Sequence, residues 1–174
     1  LIDDLFFFSK LDMQKLEFQF EAVSVRPFIH DLMEEFELEL EERNIQFEYH
    51  DNLSEDFYFN VDRKRLHQVF RNIIGNAEKY GGQQELSIKV ELNRSDNFVI
   101  ATIKDNGPGI PEDKLPHIFE RFYRIDSERT KDLMSTGLGL AIAKELVEAH
   151  DGNISVSSKI NEGSCFKVML PTTA

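Results

Sequence analysis

The sequence predicts an α+β domain, with helices layered on one face of a mixed sheet. Three observations predict it. The 174 residues fit one domain of roughly 100–200 residues. Apolar residues recur at helical spacing in some stretches and alternate in others, in the order helix, strands, helix, hairpin, long loop, helix, hairpin. The composition, 41% hydrophobic and 30% charged with 15 Phe, is too apolar for a disordered chain and too interrupted by charge for a membrane span.

Each element has its own signal. Residues 1–12 place apolar groups at 1, 2, 5, 8 and 11, a helical stripe without an N-cap that reads as the tail of a longer helix. Phe6 and Phe7 lie off that stripe, either frayed in solvent or wanting a partner surface. A short apolar alternation follows over residues 18–25. Pro27 then opens a helix to about Arg43, with Phe28, Ile29, Leu32, Met33, Phe36 and Leu40 on one face and Glu34, Glu35, Glu37, Glu39, Glu41 and Glu42 on the solvated ones. Residues 45–50 alternate as a strand does, and residues 57–59 are a second short candidate. Asp62 is an N-cap for a helix to about Tyr80, stopped by Gly81-Gly82. Residues 86–92 and 98–104 form a hairpin through 93–97. Residues 105–136 read as loop, with short helical pieces near 111–122. A helix over about 138–149 ends at Asp151-Gly152, and strands at 154–158 and 164–170 close the chain.

The charge balance narrows the ligands. With 20 Lys+Arg against 32 Asp+Glu the formal net charge is −12, which argues against a nucleic-acid surface. An anionic ligand must meet local positive charge, and Lys79, Arg121, Arg124, Arg129 and Lys131 supply it away from the Glu-rich helix. The single Cys165 permits no internal disulfide or cysteine zinc cluster, and the five His have no metal-ligand spacing. The chain as given shows no signal peptide and is expected to be soluble.

Three segments suggest chemistry. On the helix after Asp62, Asn72, Asn76 and either Lys79 or Tyr80 share a face. Asn is a mediocre helix former, so the amides either face solvent or ligate; an amide oxygen is a hard donor suited to Mg²⁺, and Lys79 adds a point charge for a phosphate. Next, Asp105-Asn-Gly107-Pro-Gly109-Ile110 follows a strand. It is either an ordinary turn or a sharp one that leaves room for a flat ligand, with a carboxylate able to accept from an amino group. Last, Thr136-Gly137-Leu138-Gly139-Leu140 leads into a helix, a place where backbone N–H groups and the helix dipole favour anions. The dinucleotide fingerprint is not completed, since position 142 is Ile, and the chain has no P-loop.

In this order and spacing, the segments closely resemble the catalytic and ATP-binding domain of bacterial sensor histidine kinases, within the Bergerat-fold ATPase superfamily. The resemblance covers about residues 20–171. Residues 65–80 resemble its N box, 105–109 its G1 box, Phe119-Glu-Arg121-Phe122-Tyr-Arg124 its F box, Thr136 to Leu140 its G2 box, and Gly163-Ser164-Cys165-Phe166 its closing glycine motif. The implied fold is a two-layer α/β sandwich, its mixed sheet mainly antiparallel, with helices on one face and a mobile ATP lid from about Arg124 to Ser135. Residues 1–15 would end the dimerisation and phosphoacceptor hairpin, and residues 16–174 would be the catalytic domain.

The resemblance also implies roles. Asp105 would accept from the adenine amino group, Gly107 and Gly109 would let the backbone close around the base beside Ile110, and Tyr80 would cover it. Asn76 would be the Mg²⁺ ligand with Asn72 beside it. Lys79 and Arg124, with Arg121 or Arg129, would reach phosphates; Phe122 would border the nucleotide. Thr136 and residues 137–140 would offer backbone N–H groups, and Ser164 would sit near adenine. Met134-Ser135 and His150-Asp151-Gly152 depart from the family's usual glycines. Hydrolytic branches of the superfamily carry a glutamate four residues before the metal-binding Asn, where this chain has Asn72. An amide cannot serve as a general base. The expected activity is therefore transfer of the γ-phosphoryl group from Mg-ATP to a His on a hairpin absent from this chain, in cis or in trans, and then to a response regulator. The parent would be a homodimer anchored in a bacterial inner membrane with this domain in the cytoplasm. The rivals are a hydrolytic ATPase of the same superfamily and a non-enzymatic nucleotide-sensing or docking module. His30 lacks the proline of a phosphoacceptor motif, and the other His read as surface or capping residues.

Overall fold

The computed structural model describes residues 2–80, 85–124 and 137–173. The expected helix stop at Gly81-Gly82, Arg129, Lys131, Thr136 and nearly all of the expected lid lie outside the described residues, as does the side chain of Tyr80.

The element order is α1 (Ile2–Asp12), β1 (Glu21–Ser24), α2 (Val25–Glu42), β2 (Gln46–Asp51), β3 (Tyr58–Val61), α3 (Arg63–Tyr80), β4 (Ser87–Ser95), β5 (Phe98–Asp105), α4 (Gly139–Ala149), β6 (Asn153–Lys159) and β7 (Gly163–Thr173), with a single 3-10 turn at Leu115–His117. The strands form one mixed sheet in the order β1-β3-β7-β5-β4-β2, with β6 also paired to β7. Every pairing is antiparallel except β2 with β4. That parallel pair is the part of the topology a reading by local periodicity does not reach.

The alternation along the strands makes the two layers. Ile88, Val90 and Leu92 of β4, Val99, Ala101 and Ile103 of β5, and Phe166, Val168 and Leu170 of β7 are buried. Their neighbours Lys104 and Lys167 are exposed. Helices supply the other half of the core through Ile29, Met33, Phe36 and Leu40 of α2, Leu66, Phe70 and Ile73 of α3, and Ile142 and Leu146 of α4. Period-two and period-3.6 faces meet in one apolar layer, the arrangement that hides both at once.

Three boundaries differ from expectation. Helix α2 begins at Val25, before Pro27, because its first turn is capped from a distant loop: Asp56 Oδ1 accepts from the Arg26 N–H at 3.0 Å, and the Ser24 hydroxyl donates to the same carboxylate. Strand β1 occupies only the end of the alternating stretch. Helix α1 buries Phe7 and Phe8 and packs Leu11 against the core while Ile2, Leu5 and Phe6 stay exposed, so of the expected stripe 8 and 11 dock, 2 and 5 do not, and the off-stripe Phe7 docks with them. Asp62 caps α3 as expected, Oδ1 accepting from the Arg65 N–H at 3.1 Å, and its Oδ2 takes the Gln19 N–H at 2.9 Å. His150 is the C-cap of α4, a capping residue as the sequence allowed, and it is not at the surface. It is buried, its Nδ1 lies 2.7 Å from the Leu146 carbonyl, and its Nε2 accepts from the Asp62 N–H at 3.1 Å.

Candidate functional site

Two helices and the ends of three strands converge on the residues singled out above. Helices α3 and α4 are tied where the motifs meet: Asn72 Nδ2 donates to the Gly139 carbonyl at 3.0 Å. A Cβ on Gly139 would lie 4.0 Å from the Asn72 side chain, ordinary van der Waals contact, so the approach of the two helices does not by itself demand glycine. Among the described residues no side chain caps α4, and the N–H groups of its first turn are suited to water or an anion. Asn76, one turn beyond Asn72, is half-buried, and Lys79 is exposed in the last turn of α3.

At the end of β5, Asp105 is in register with Ile88 of β4 and Ser164 of β7. Its Oδ1 accepts from the Gly107 N–H at 2.9 Å. Burial pushes the carboxyl above its ordinary value of 3.8, while the Gly107 and Ser164 N–H groups pull against that rise. Asn106 pins the turn to β4, its side-chain oxygen accepting from the Ser87 N–H at 2.7 Å and its Nδ2 donating to the Glu85 carbonyl at 3.0 Å.

The β6–β7 hairpin is pressed against the same turn. Gly109 has φ +79°, and a Cβ there would sit 2.2 Å from the Lys159 carbonyl oxygen; at Gly163, φ +112°, it would sit 1.9 Å from that of Asp105. Glycine at 109 thus serves the contact between turn and hairpin rather than room for a ligand. Ser158, which the motif reading missed, sits in this contact: its Oγ accepts from the Ile110 N–H at 2.7 Å, donates to the Gly163 carbonyl at 2.9 Å and lies 2.9 Å from Ser164 Oγ. Ser158 is one of three serines in its strand, with Ser155 and Ser157, and nothing local singles it out. A cavity of about 310 Å³ opens at this end of the sheet, lined by Asp105, Ser158, Gly163 and Ser164 among others.

The remaining candidates divide. The side chains of Ile110, Leu138 and Leu140 are buried in the core, so these residues face a ligand only with backbone. Phe122 is exposed at φ +66°, and its N–H donates to the Gly137 carbonyl at 3.0 Å, which brings the F-box segment to the start of the α4 motif. Arg124 is half-buried. Arg121, expected near phosphates, turns the other way: two of its nitrogens reach the Asp12 carboxylate at 3.1 Å each, and its guanidinium lies 3.9 Å from the centre of the Phe8 ring. Among the described residues no group of three His, Cys, Asp or Glu is placed to hold a metal, and no helix is long and apolar enough to cross a membrane.

The model of the family described as histidine kinase-, DNA gyrase B-, and HSP90-like ATPase matches residues 61–174, from the last residue of β3 onward. The chain belongs to this family. Within this ATPase family it is similar to the sensor protein kinase WalK of Staphylococcus haemolyticus (strain JCSC1435), 38% identical over 172 residues, covering 98% of this chain and 28% of that protein. It is also similar to the sensor histidine kinase WalK of Bacillus subtilis (strain 168), 36% identical over 173 residues with the same two shares, 98% and 28%. The chain therefore spans 28% of the length of these curated relatives. Among solved structures it is similar to the nucleotide-free catalytic domain of the histidine kinase ThkA, with TM-score 0.73 and 28% identity over 89% of this chain and 97% of that one. The histidine kinase AdeS of Acinetobacter baumannii gives TM-score 0.73 and 27% identity over 100% of this chain and 78% of that one. The family match makes this an ATP-binding fold of the histidine kinase type.

Proposed function

We propose that the chain is the catalytic ATP-binding part of a two-component sensor histidine kinase. Residues 16–174 hold Mg-ATP, and residues 1–15 end the helical hairpin whose phosphoacceptor His lies outside this chain. Asp105 accepts from the adenine amino group, Ser164 flanks it, and Gly107, Gly109 and Ile110 shape the turn beside the base, with Tyr80 covering it. The approach to α4 and its start, Gly137 to Leu140 with Thr136 before them, offer backbone N–H groups to the phosphates. Lys79 and Arg124 add charge there, and Phe122 borders the nucleotide.

Asn76 suits the metal that accompanies the nucleotide. Its amide is a neutral, hard donor, and Mg²⁺ keeps several waters and shares phosphate oxygens rather than demanding a full protein cage. Bound Mg²⁺ would neutralise phosphate charge in a chain of net charge −12.

The observation that carries the reading is the Asn72 amide tied to Gly139. An amide committed to a backbone carbonyl positions the glycine-led helix and cannot activate water, so ATP held here is kept for transfer. Phosphoryl transfer is mostly positioning and electrostatics, which a domain lacking the nucleophile can still supply. The parent protein pairs as a homodimer, is anchored in a bacterial membrane with this domain in the cytoplasm, and passes the phosphoryl group to a response regulator. The test is to restore the upstream hairpin and assay acid-labile phosphate on its His with ATP and Mg²⁺. Label on the longer protein and none on the 174-residue chain is expected. Steady phosphate release by the chain alone, without transfer, would overturn the reading.

A further inference from the structure

We infer that Ser158 is a positioning residue that fixes the polarity of the base pocket and, through Ser164, makes it select a 6-amino purine over a 6-oxo purine. The inference rests on the reading of Asp105 as the adenine acceptor and extends it to a residue in a different motif.

The argument is a count of protons. A serine hydroxyl has one proton to give and two lone pairs to receive with. Ser158 Oγ gives its proton to the Gly163 carbonyl at 2.9 Å and receives the Ile110 N–H at 2.7 Å. With that proton spent, the 2.9 Å contact between the two serine hydroxyls is made by Ser164 donating to Ser158. Ser164 then has no proton left for a ligand, and its free lone pairs make it an acceptor only. Asp105, its register partner, is an acceptor as well when ionised. Both side chains therefore ask for a donor.

An exocyclic amino group is such a donor. A 6-oxo group is an acceptor, and facing these side chains it leaves lone pairs opposed and unpaired, the situation in which a polar site discriminates most strongly. The hairpin cannot slide to relieve this. Cβ positions 2.2 Å from the Lys159 carbonyl at Gly109 and 1.9 Å from the Asp105 carbonyl at Gly163 show backbones already in contact on both sides of Ser158. Without the Ser158 hydroxyl, Ser164 is free to turn its proton toward the ligand and accommodate either purine.

The experiment compares ATP with inosine triphosphate, which carries oxygen in place of the 6-amino group, by titration calorimetry with Mg²⁺ near neutral pH. The proteins are the 174-residue chain and its Ser158→Ala, Ser158→Thr and Asp105→Asn variants. Ser158→Ala is expected to narrow the ratio of the two Kd values by roughly tenfold, and Ser158→Thr, which keeps the hydroxyl, to hold the wild-type ratio. An unchanged ratio in Ser158→Ala overturns the inference, and so does the same narrowing in Ser158→Thr. Should Ser158→Ala lack a cooperative melting transition, Ser164→Ala takes its place, and an unchanged ratio there is equally fatal. Asp105→Asn separates the two readings. If it leaves ATP affinity intact, the adenine reading fails and takes this one with it; if it weakens ATP while Ser158→Ala keeps the ratio, only the role of Ser158 fails.

Discussion

Asp105 is held between opposed demands. Burial raises its pKa above 3.8 and two backbone donors partly offset the rise. A carboxyl whose folded pKa is raised contributes most to stability below its unfolded value and loses that contribution as pH rises through the folded one. The ionised form needed to accept from an amino group is thus mildly destabilising at neutral pH. Two outcomes follow at this residue. Asp105→Asn melts at the same temperature as the wild type or higher, yet binds ATP at least tenfold more weakly. ATP affinity of the wild type falls as pH drops through the raised pKa, whereas that of the variant is flat over the same range; titration calorimetry at a series of pH values checks both. At Gly163 the constraint is steric. Gly163→Ala places a Cβ 1.9 Å from the Asp105 carbonyl oxygen at φ +112°, and a loss of about 2 kcal/mol or more is expected in urea denaturation.

At the scale of elements, α1 is attached to the rest of the domain by a few aromatic and ionic contacts. Phe7 and Phe8 are buried, Arg65 lies over Phe7 at 5.7 Å, and Arg121 grips Asp12 with two hydrogen bonds while covering Phe8. The hydrogen bond from Arg121 lowers the Asp12 pKa. A depressed carboxyl contributes above its unfolded pKa and loses that contribution only as pH falls through the lower folded value, so this ion pair is expected at neutral pH and is lost only in acid. Arg121→Ala is expected to release α1, read as faster proteolysis within residues 13–20 with Phe8 newly accessible; unchanged cleavage would show that the aromatic contacts suffice. His150 joins the end of α4 to the start of α3 through Leu146 and Asp62, and Phe20 meets its ring edge-on at 5.0 Å. His150→Ala leaves a buried N–H and a small void, and should cost about 2–4 kcal/mol in the same urea assay.

For the whole molecule, one apolar layer between sheet and helices carries both stability and site geometry. Phe166 of β7 packs in that layer two residues from Ser164, and Phe119 of the F-box segment meets its ring edge-on at 6.2 Å. Phe166→Ala should therefore lower stability by about 3–5 kcal/mol and weaken ATP binding together, a coupling that parallel melts with and without nucleotide would reveal. The net charge of −12 now has a shape as well as a size. Acid lines the exposed faces of α2, and the proposed phosphate site relies on Lys79, Arg124 and the N–H groups of α4, without the Arg121 expected there.

Much of this was legible before any coordinate. Helix α3, capped by Asp62, the hairpin of β4 and β5, helix α4 and the closing strands each repeat with a period that one element can satisfy alone, and the spaced Asn, Asp and Gly residues mark the site proposed above. What local periodicity could not carry is whatever depends on a partner distant in the chain. The start of α2 is set by Asp56, 30 residues from Arg26. Arg121 is claimed by Asp12 across 109 residues, Ser158 meets Ile110 across 48, and β2 finds β4 in parallel. The residue types and their order determined that an ATP-type pocket is present. Only the packed backbones decided which hydroxyls meet and which arginine pairs with Asp12, because a hydrogen bond or an ion pair is fixed by the geometry of both its ends.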